Sequence, residues 1–147
     1  MVERRFAHPV LDAPALGDAP VAVRVLGDDF VLWRDAAGTP RAAPARCPHR
    51  GTRLSLGRVC DGQIECPYHG WRFDGAGRCV SIPALPAFVP PASHGLATHR
   101  LSEAHGLLWL HLEPEAALPR FEAETDPKLR KLNVGPYDVA AGAPRIV

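Results

Sequence analysis

An all-β fold of short antiparallel strands with little helix is what this 147-residue sequence predicts, and three observations carry that expectation. Sixteen prolines and thirteen glycines run through the chain, a content that suits loops between short strands and breaks long helices. β-Branched and aromatic residues gather in short runs punctuated by Gly and Asp, as in VAVRVL and FVLWRD. Between Val59 and Ile64 stands Asp61-Gly62, the two-residue hairpin signal in which both turn positions favour positive φ.

Taken in order, VAVRVL, FVLWRD and RAAPARC form a three-stranded meander from Val21 that delivers the chain to Cys47. The hairpin GRVCDGQIEC then brings Cys66 back beside it. A second hairpin, WRFDGAGRCVSI, turns around Gly75 to Gly77. Two further strands in GLATHRLSEAHGLLWLHLE turn at Glu103 to Gly106, with Leu108, Leu110 and Leu112 on one face and Leu107, Trp109 and His111 on the other. His105 and His111 are expected at the surface or on a sheet face. From Glu113 to Leu132 the text is charged, holds three prolines and keeps no period, which predicts a linker or surface wrap with one helical turn at Lys128 to Leu132. The last stretch, NVGPYDVAAGAPRIV, reads as a strand, a Gly-Pro turn and the start of another strand.

Bulk properties narrow the function. A chain of this length suits one domain with a core of its own. Seventeen basic against sixteen acidic residues leave a formal charge of +1, so no global field draws in nucleic acid or an anionic membrane. The longest apolar stretch, LLWLHL, is too short to span a bilayer, and MVERRFAHPV lacks a signal-peptide core. The expectation is a cytoplasmic protein in which clustered Cys and His are metal ligands rather than disulfides.

Those ligands are Cys47, His49, Cys66 and His69, in CPHRG and CPYHGW. Two thiolates and two imidazoles suit a tetrahedral Zn²⁺ or a [2Fe-2S] cluster in which two histidines hold one iron. Zinc fingers usually group their cysteines in one knuckle and their histidines on a helix, whereas each loop here supplies one of each. Pro48 and Pro67 stiffen the loops, and Gly51 and Gly70 allow backbone N–H groups to approach sulfur.

The stretch CPHRGTRLSLGRVCDGQIECPYHGWRFDGAGRCVSIPALP resembles the Rieske domain of the bacterial Rieske non-haem iron oxygenases, the ring-hydroxylating and demethylating enzymes, over roughly Phe6 to Leu112. The resemblance implies the Rieske iron–sulfur fold, antiparallel sheets with a small cluster-binding subdomain. It implies that Cys47 and Cys66 ligate one iron of a [2Fe-2S] cluster and His49 and His69 the other. It also implies that Ser81 to Pro86 covers the cluster and that Trp71 packs beneath it. Thr52 and Tyr68 stand where the respiratory subtype has a disulfide, and Cys60 and Cys79 are expected to be buried or incidental thiols. Arg50 and Arg53 flank the first loop, where they could steer an acidic partner or simply be solvated. The spacing of His94 and His99 resembles the second iron site of the oxygenases but is read as coincidence.

On this resemblance the chain takes electrons from an NAD(P)H-dependent reductase or a ferredoxin. It passes them to a mononuclear Fe(II) in a catalytic domain, of which residues 113–147 would be the linker and the start. A homotrimer is implied for the full-length form. A stand-alone Rieske ferredoxin and a structural zinc domain are the alternatives.

Overall fold

The computed structural model describes residues 2–130, 132 and 134. Ten strands lie among them: β1 (Ala7–Asp12), β2 (Val21–Val25), β3 (Asp28–Arg34), β4 (Pro40–Pro44), β5 (Arg58–Cys60), β6 (Gln63–Glu65), β7 (Arg72–Phe73), β8 (Cys79–Ser81), β9 (Arg100–Ala104) and β10 (Leu107–His111). Helix is confined to 3₁₀ turns of three or four residues. The strands form three antiparallel sheets, ordered β1-β10-β9, β2-β3-β4 and β5-β6-β7-β8. The all-β, antiparallel expectation holds.

The meander β2-β3-β4 separates two cores, because side chains alternate across a strand. From β3, Val31 and Trp33 join Ile64, Phe73, Cys47 and Cys66 in a core beneath the four-stranded sheet. Phe30 and Leu32 point the other way, into a second core with Leu101, Leu108 and Leu110. Burial on both faces explains why FVLWRD reads as a continuous apolar run. Trp33 is fully buried, and its Nε1–H has no hydrogen-bond partner among the described residues.

The Asp61-Gly62 turn forms as its sequence demands, with φ of 52° and 74° joining β5 to β6. At the equivalent place between β9 and β10, His105 and Gly106 take φ of 57° and 77°. Leu108 and Leu110 face the second core as expected, and Leu112 packs against it.

Three details differ from the sequence reading. β1 was not foreseen: AHPVLD holds a proline and weak alternation, and its pairing with β10 shifts register between Pro9 and Leu11. His111 lies on a sheet face but is only 2% exposed, because residues after β10 fold back over it. It donates from Nδ1 to the Ala116 carbonyl at 2.8 Å, and Nε2 accepts from Ser102 Oγ at 2.8 Å. Finally, the helical turn forms at Glu122–Thr125, and the described residues between 128 and 132 carry none. Asp126 Oδ1 takes the Lys128 N–H at 2.9 Å, a local bond that competes with helix. The strands expected in NVGPYDVAAGAPRIV fall outside the described residues, Val134 apart.

The segment after β10 is tied down by more than His111. Ala117 bridges to Phe6, His105 Nε2 donates to the Pro119 carbonyl at 3.0 Å, and His105 Nδ1 meets the Glu124 carboxylate. The His105 ring also meets Trp109 and Phe121 edge-on.

Candidate metal centre

The two Cys/His loops are built alike, hydrogen bond for hydrogen bond. In the first, Cys47 N–H donates to the Thr52 carbonyl and Gly51 N–H to the Cys47 carbonyl, each at 2.9 Å. In the second, Cys66 N–H donates to Trp71 at 2.9 Å and Gly70 N–H to Cys66 at 3.0 Å. Gly51 and Gly70 close these turns at φ of 70° and 68°, a left-handed conformation that a side chain resists. Arg46 secures the first loop with a bond from Nη1 to the Gly51 carbonyl at 2.9 Å. The Arg58–Glu65–Arg72 ion-pair ladder, with contacts of 2.7 and 2.6 Å across β5, β6 and β7, braces the strand that leads into Cys66.

The four predicted side chains come together as two pairs. Cys47 and Cys66 are both 3% exposed, in one core, and their thiols interact directly. His49 and His69 are exposed, with ring centroids 4.7 Å apart. Burial pushes the Cys47 thiol up to about 11; the backbone N–H groups of His49 and Arg50 pull the other way, and the Cys66 thiol adds to the rise. His49 is held below the ordinary imidazole value by partial desolvation and by the nearby His69, Arg50 and His94. Its ring is therefore neutral at pH 7, the form that offers a nitrogen lone pair.

This segregation tests the two inorganic candidates. A single tetrahedral ion needs all four donors around one point, yet among the described residues no group of three or more Cys, His, Asp or Glu side chains is arranged to hold one ion. A two-iron centre of mixed ligation wants two separate donor pairs, two sulfurs on one iron and two imidazoles on the other. The residues present fit the latter.

Comparison with known proteins bears on the same stretch. The family model for the Rieske [2Fe-2S] domain matches residues 7–100.

This chain belongs to the Rieske [2Fe-2S] domain family.

Among similar proteins, methylxanthine N1-demethylase NdmA of Pseudomonas putida is 34% identical over 91% of this chain and 40% of its own length. The oxygenase subunit of 3-chlorobenzoate-3,4-dioxygenase from Comamonas testosteroni is 33% identical over 92% of this chain and 31% of its own. The chloroplastic protein TIC 55 of Arabidopsis thaliana is 40% identical over 71% of this chain and 21% of its own. The solved structure of NdmA superposes with a TM-score of 0.80 over 87% of this chain and 41% of that one. The chain thus spans well under half the length of these relatives. A Rieske domain transfers electrons through its [2Fe-2S] cluster.

Around the loops of this Rieske domain, other expectations resolve individually. Cys60 and Cys79 are free thiols away from the loop tips, the first half-buried and the second buried. Arg50 is exposed, and Arg53 lies 3.9 Å from Asp29. Pro83 of the Ser81 to Pro86 stretch lies against Gly70, 2.9 Å from where a Cβ would stand. Trp71 packs on the core that holds both cysteines, and its indole stacks flat on His49 with centroids 4.6 Å apart and planes 4° apart. His94 and His99 do not act as a pair: His94 stacks on Trp71, while His99 meets Phe30 edge-on. Spacing alone gave no signal for the part His94 plays here, since its partner is distant in sequence.

No helix among the described residues is long and apolar enough to cross a membrane.

Proposed function

We propose that Cys47 and Cys66 hold one iron of a Rieske [2Fe-2S] cluster and His49 and His69 the other, in the electron-transfer part of a Rieske oxygenase. The observation that carries this reading is the sorting of the donors into a buried thiol pair and an exposed imidazole pair on two matching loops. When bound, the cluster supplies a reversible one-electron carrier whose potential the imidazoles raise above that of all-cysteine clusters.

The chain's own residues divide the work. Cys47 and Cys66 must lose their protons to bind iron, so assembly releases protons, and burial of the Cys47 thiol makes it depend on pH. His49 N–H and Arg50 N–H point at the Cys47 sulfur and offset part of its negative charge. The core containing Trp33, Ile64 and Phe73 keeps water from the sulfur side. On the imidazole side exposed Tyr68 lies against His69, and exposed Phe88 lies against His94, apolar surface that a redox partner can cover without desolvating charge.

The wider reading extends the likeness to Rieske oxygenases. Electrons would enter from an NAD(P)H-dependent reductase or a ferredoxin. They would leave for a mononuclear Fe(II) in the catalytic domain of a full-length, cytoplasmic and trimeric oxygenase, with Phe6 to Leu112 as the cluster domain and residues 113–147 leading onward. Supporting it are the demethylase and dioxygenase names of the similar proteins and the small share of their length matched here. NdmD, an oxidoreductase of the same species as NdmA, is also 39% identical over 60% of this chain.

The test is compositional and spectroscopic. Protein matured in an iron-replete host should contain iron and acid-labile sulfide in equal amounts and give a rhombic EPR signal on reduction. Zinc without sulfide would overturn the assignment.

A further inference from the structure

We propose that His94 is a positioning residue for His49, acting through Trp71; this rests on the reading of His49 as an iron ligand. The Trp71 indole stacks on two imidazoles, His49 at 4.6 Å and 4° and His94 at 5.2 Å and 7°. Both pairs are nearly parallel, so the three rings form one stacked group, and Phe88 lies 6.0 Å from His94, tilted by 54°. His49 is otherwise exposed and lies on a loop tip. Beside the tilted His69 ring at 4.7 Å, the flat face of Trp71 is what limits rotation of the His49 ring.

Trp71 can do so only if it is itself held, and the backbone that places His94 supplies that hold. His94 ends a 3₁₀ turn, Ala92–His94, whose position is fixed from the turn between β7 and β8. Leu96 N–H donates to the Gly77 carbonyl at 2.7 Å. The approach is so close that a Cβ on Gly77 would lie 2.3 Å from the Leu96 carbonyl oxygen, and one on Gly95 would lie 2.8 Å from that of Gly77. The line of mechanical support therefore runs from the Gly77 turn through His94 and Trp71 to His49. The second imidazole lacks an equivalent stack, since Tyr68 meets His69 at 32°. One ligand ring is thus clamped by the fold, while the other depends on its own loop.

The experiment compares the parent with His94→Ala, His94→Leu and His94→Phe in the cluster-loaded chain, by pulsed EPR of the reduced state. The parent should show two imidazole nitrogen couplings. His94→Ala and His94→Leu should shift or broaden one of them and leave the other in place, at unchanged iron and sulfide content, while His94→Phe restores the parent pattern. A purely structural role would instead lower cluster content and leave the couplings of the remaining clusters unmoved. Proton NMR of the iron-free chain reads the same contact without the cluster: the upfield ring-current shift of the His49 ring protons should shrink in His94→Ala and in Gly77→Ala and persist in His94→Phe. Couplings and ring-current shifts that match the parent in His94→Ala overturn the proposal. A parent without imidazole nitrogen coupling would instead overturn the ligand assignment, while the NMR comparison would still decide the stack.

Discussion

Replacing Gly51 and Gly70 by alanine, one at a time, separates backbone strain from steric contact at two nearly identical turns. Both glycines sit at positive φ, 70° and 68°, so each alanine takes on a left-handed penalty of roughly 1–2 kcal/mol. At Gly51 nothing lies within 4 Å of the added Cβ, and strain is the whole cost. At Gly70 the Cβ would meet Pro83 Cγ at 2.9 Å, so the loop carrying Pro83 must yield, adding the roughly 1–3 kcal/mol typical of overpacking. The expected losses are therefore about 1–2 kcal/mol for Gly51→Ala and about 2–5 kcal/mol for Gly70→Ala. Urea midpoints and slopes of the assembled protein give both numbers, and visible absorbance follows the cluster in the same titration. Adding Pro83→Ala to Gly70→Ala should recover the steric part, a coupling that a double-mutant cycle isolates. Equal losses at the two glycines, or a cycle with no coupling, would refute the reasoning.

Other expectations can be checked alongside. His69→Cys should lower the reduction potential, by on the order of 100 mV if the cluster assembles, because another thiolate makes the centre more negative; protein-film voltammetry reads it, and a raised potential contradicts the electrostatic account. His111 is held neutral, below the ordinary imidazole value, by burial against the pull of the Ala116 carbonyl, with Arg100 adding to the depression. Its stabilising share is present above about pH 6.5, the unfolded value, and is lost as pH falls from there toward the folded value. His111→Phe should therefore flatten the pH dependence of the urea midpoint below about pH 6.5, while costing about 1–3 kcal/mol at neutral pH by stranding the Ser102 hydroxyl and the Ala116 carbonyl. Burial pushes the Glu65 carboxyl up, but Arg72 and Arg58 outweigh it and hold the group below its ordinary value. Glu65→Gln should cost about 1–2 kcal/mol, more than an exposed pair, because Glu65 is only 13% exposed, and an unchanged midpoint would discount the ladder. His105→Ala should free the chain after Pro119, detected as faster proteolytic cutting there while the cluster spectrum stays unchanged.

Much of the molecule was written locally and could be read locally. Asp61-Gly62 dictates its turn because only certain residues accept two positive φ values in succession. Cys47, His49, Cys66 and His69 invite a metal-site reading because two thiols and two imidazoles at matched loop positions have few other uses. The three-stranded meander and the alternation of Leu108, Leu110 and Leu112 follow from the period of two. In each case the information sits within a few residues of the atoms it governs.

What needed the tertiary structure concerns partners far apart in the chain. Sequence could not say that the thiols pair inside and the imidazoles outside, since burial depends on which sheet lies beneath the loops. Nor could it find β1, whose weak pattern is rescued by pairing with β10, or the burial of His111 under a segment that doubles back. His94 is the sharpest instance: judged by its spacing to His99 it meant nothing, and its meaning lies in stacking on Trp71, twenty-three positions earlier in the sequence. Turn chemistry and ligand identity are properties of a short segment, whereas stacking, burial and strand pairing exist only once distant segments share a surface, and no local pattern encodes that meeting.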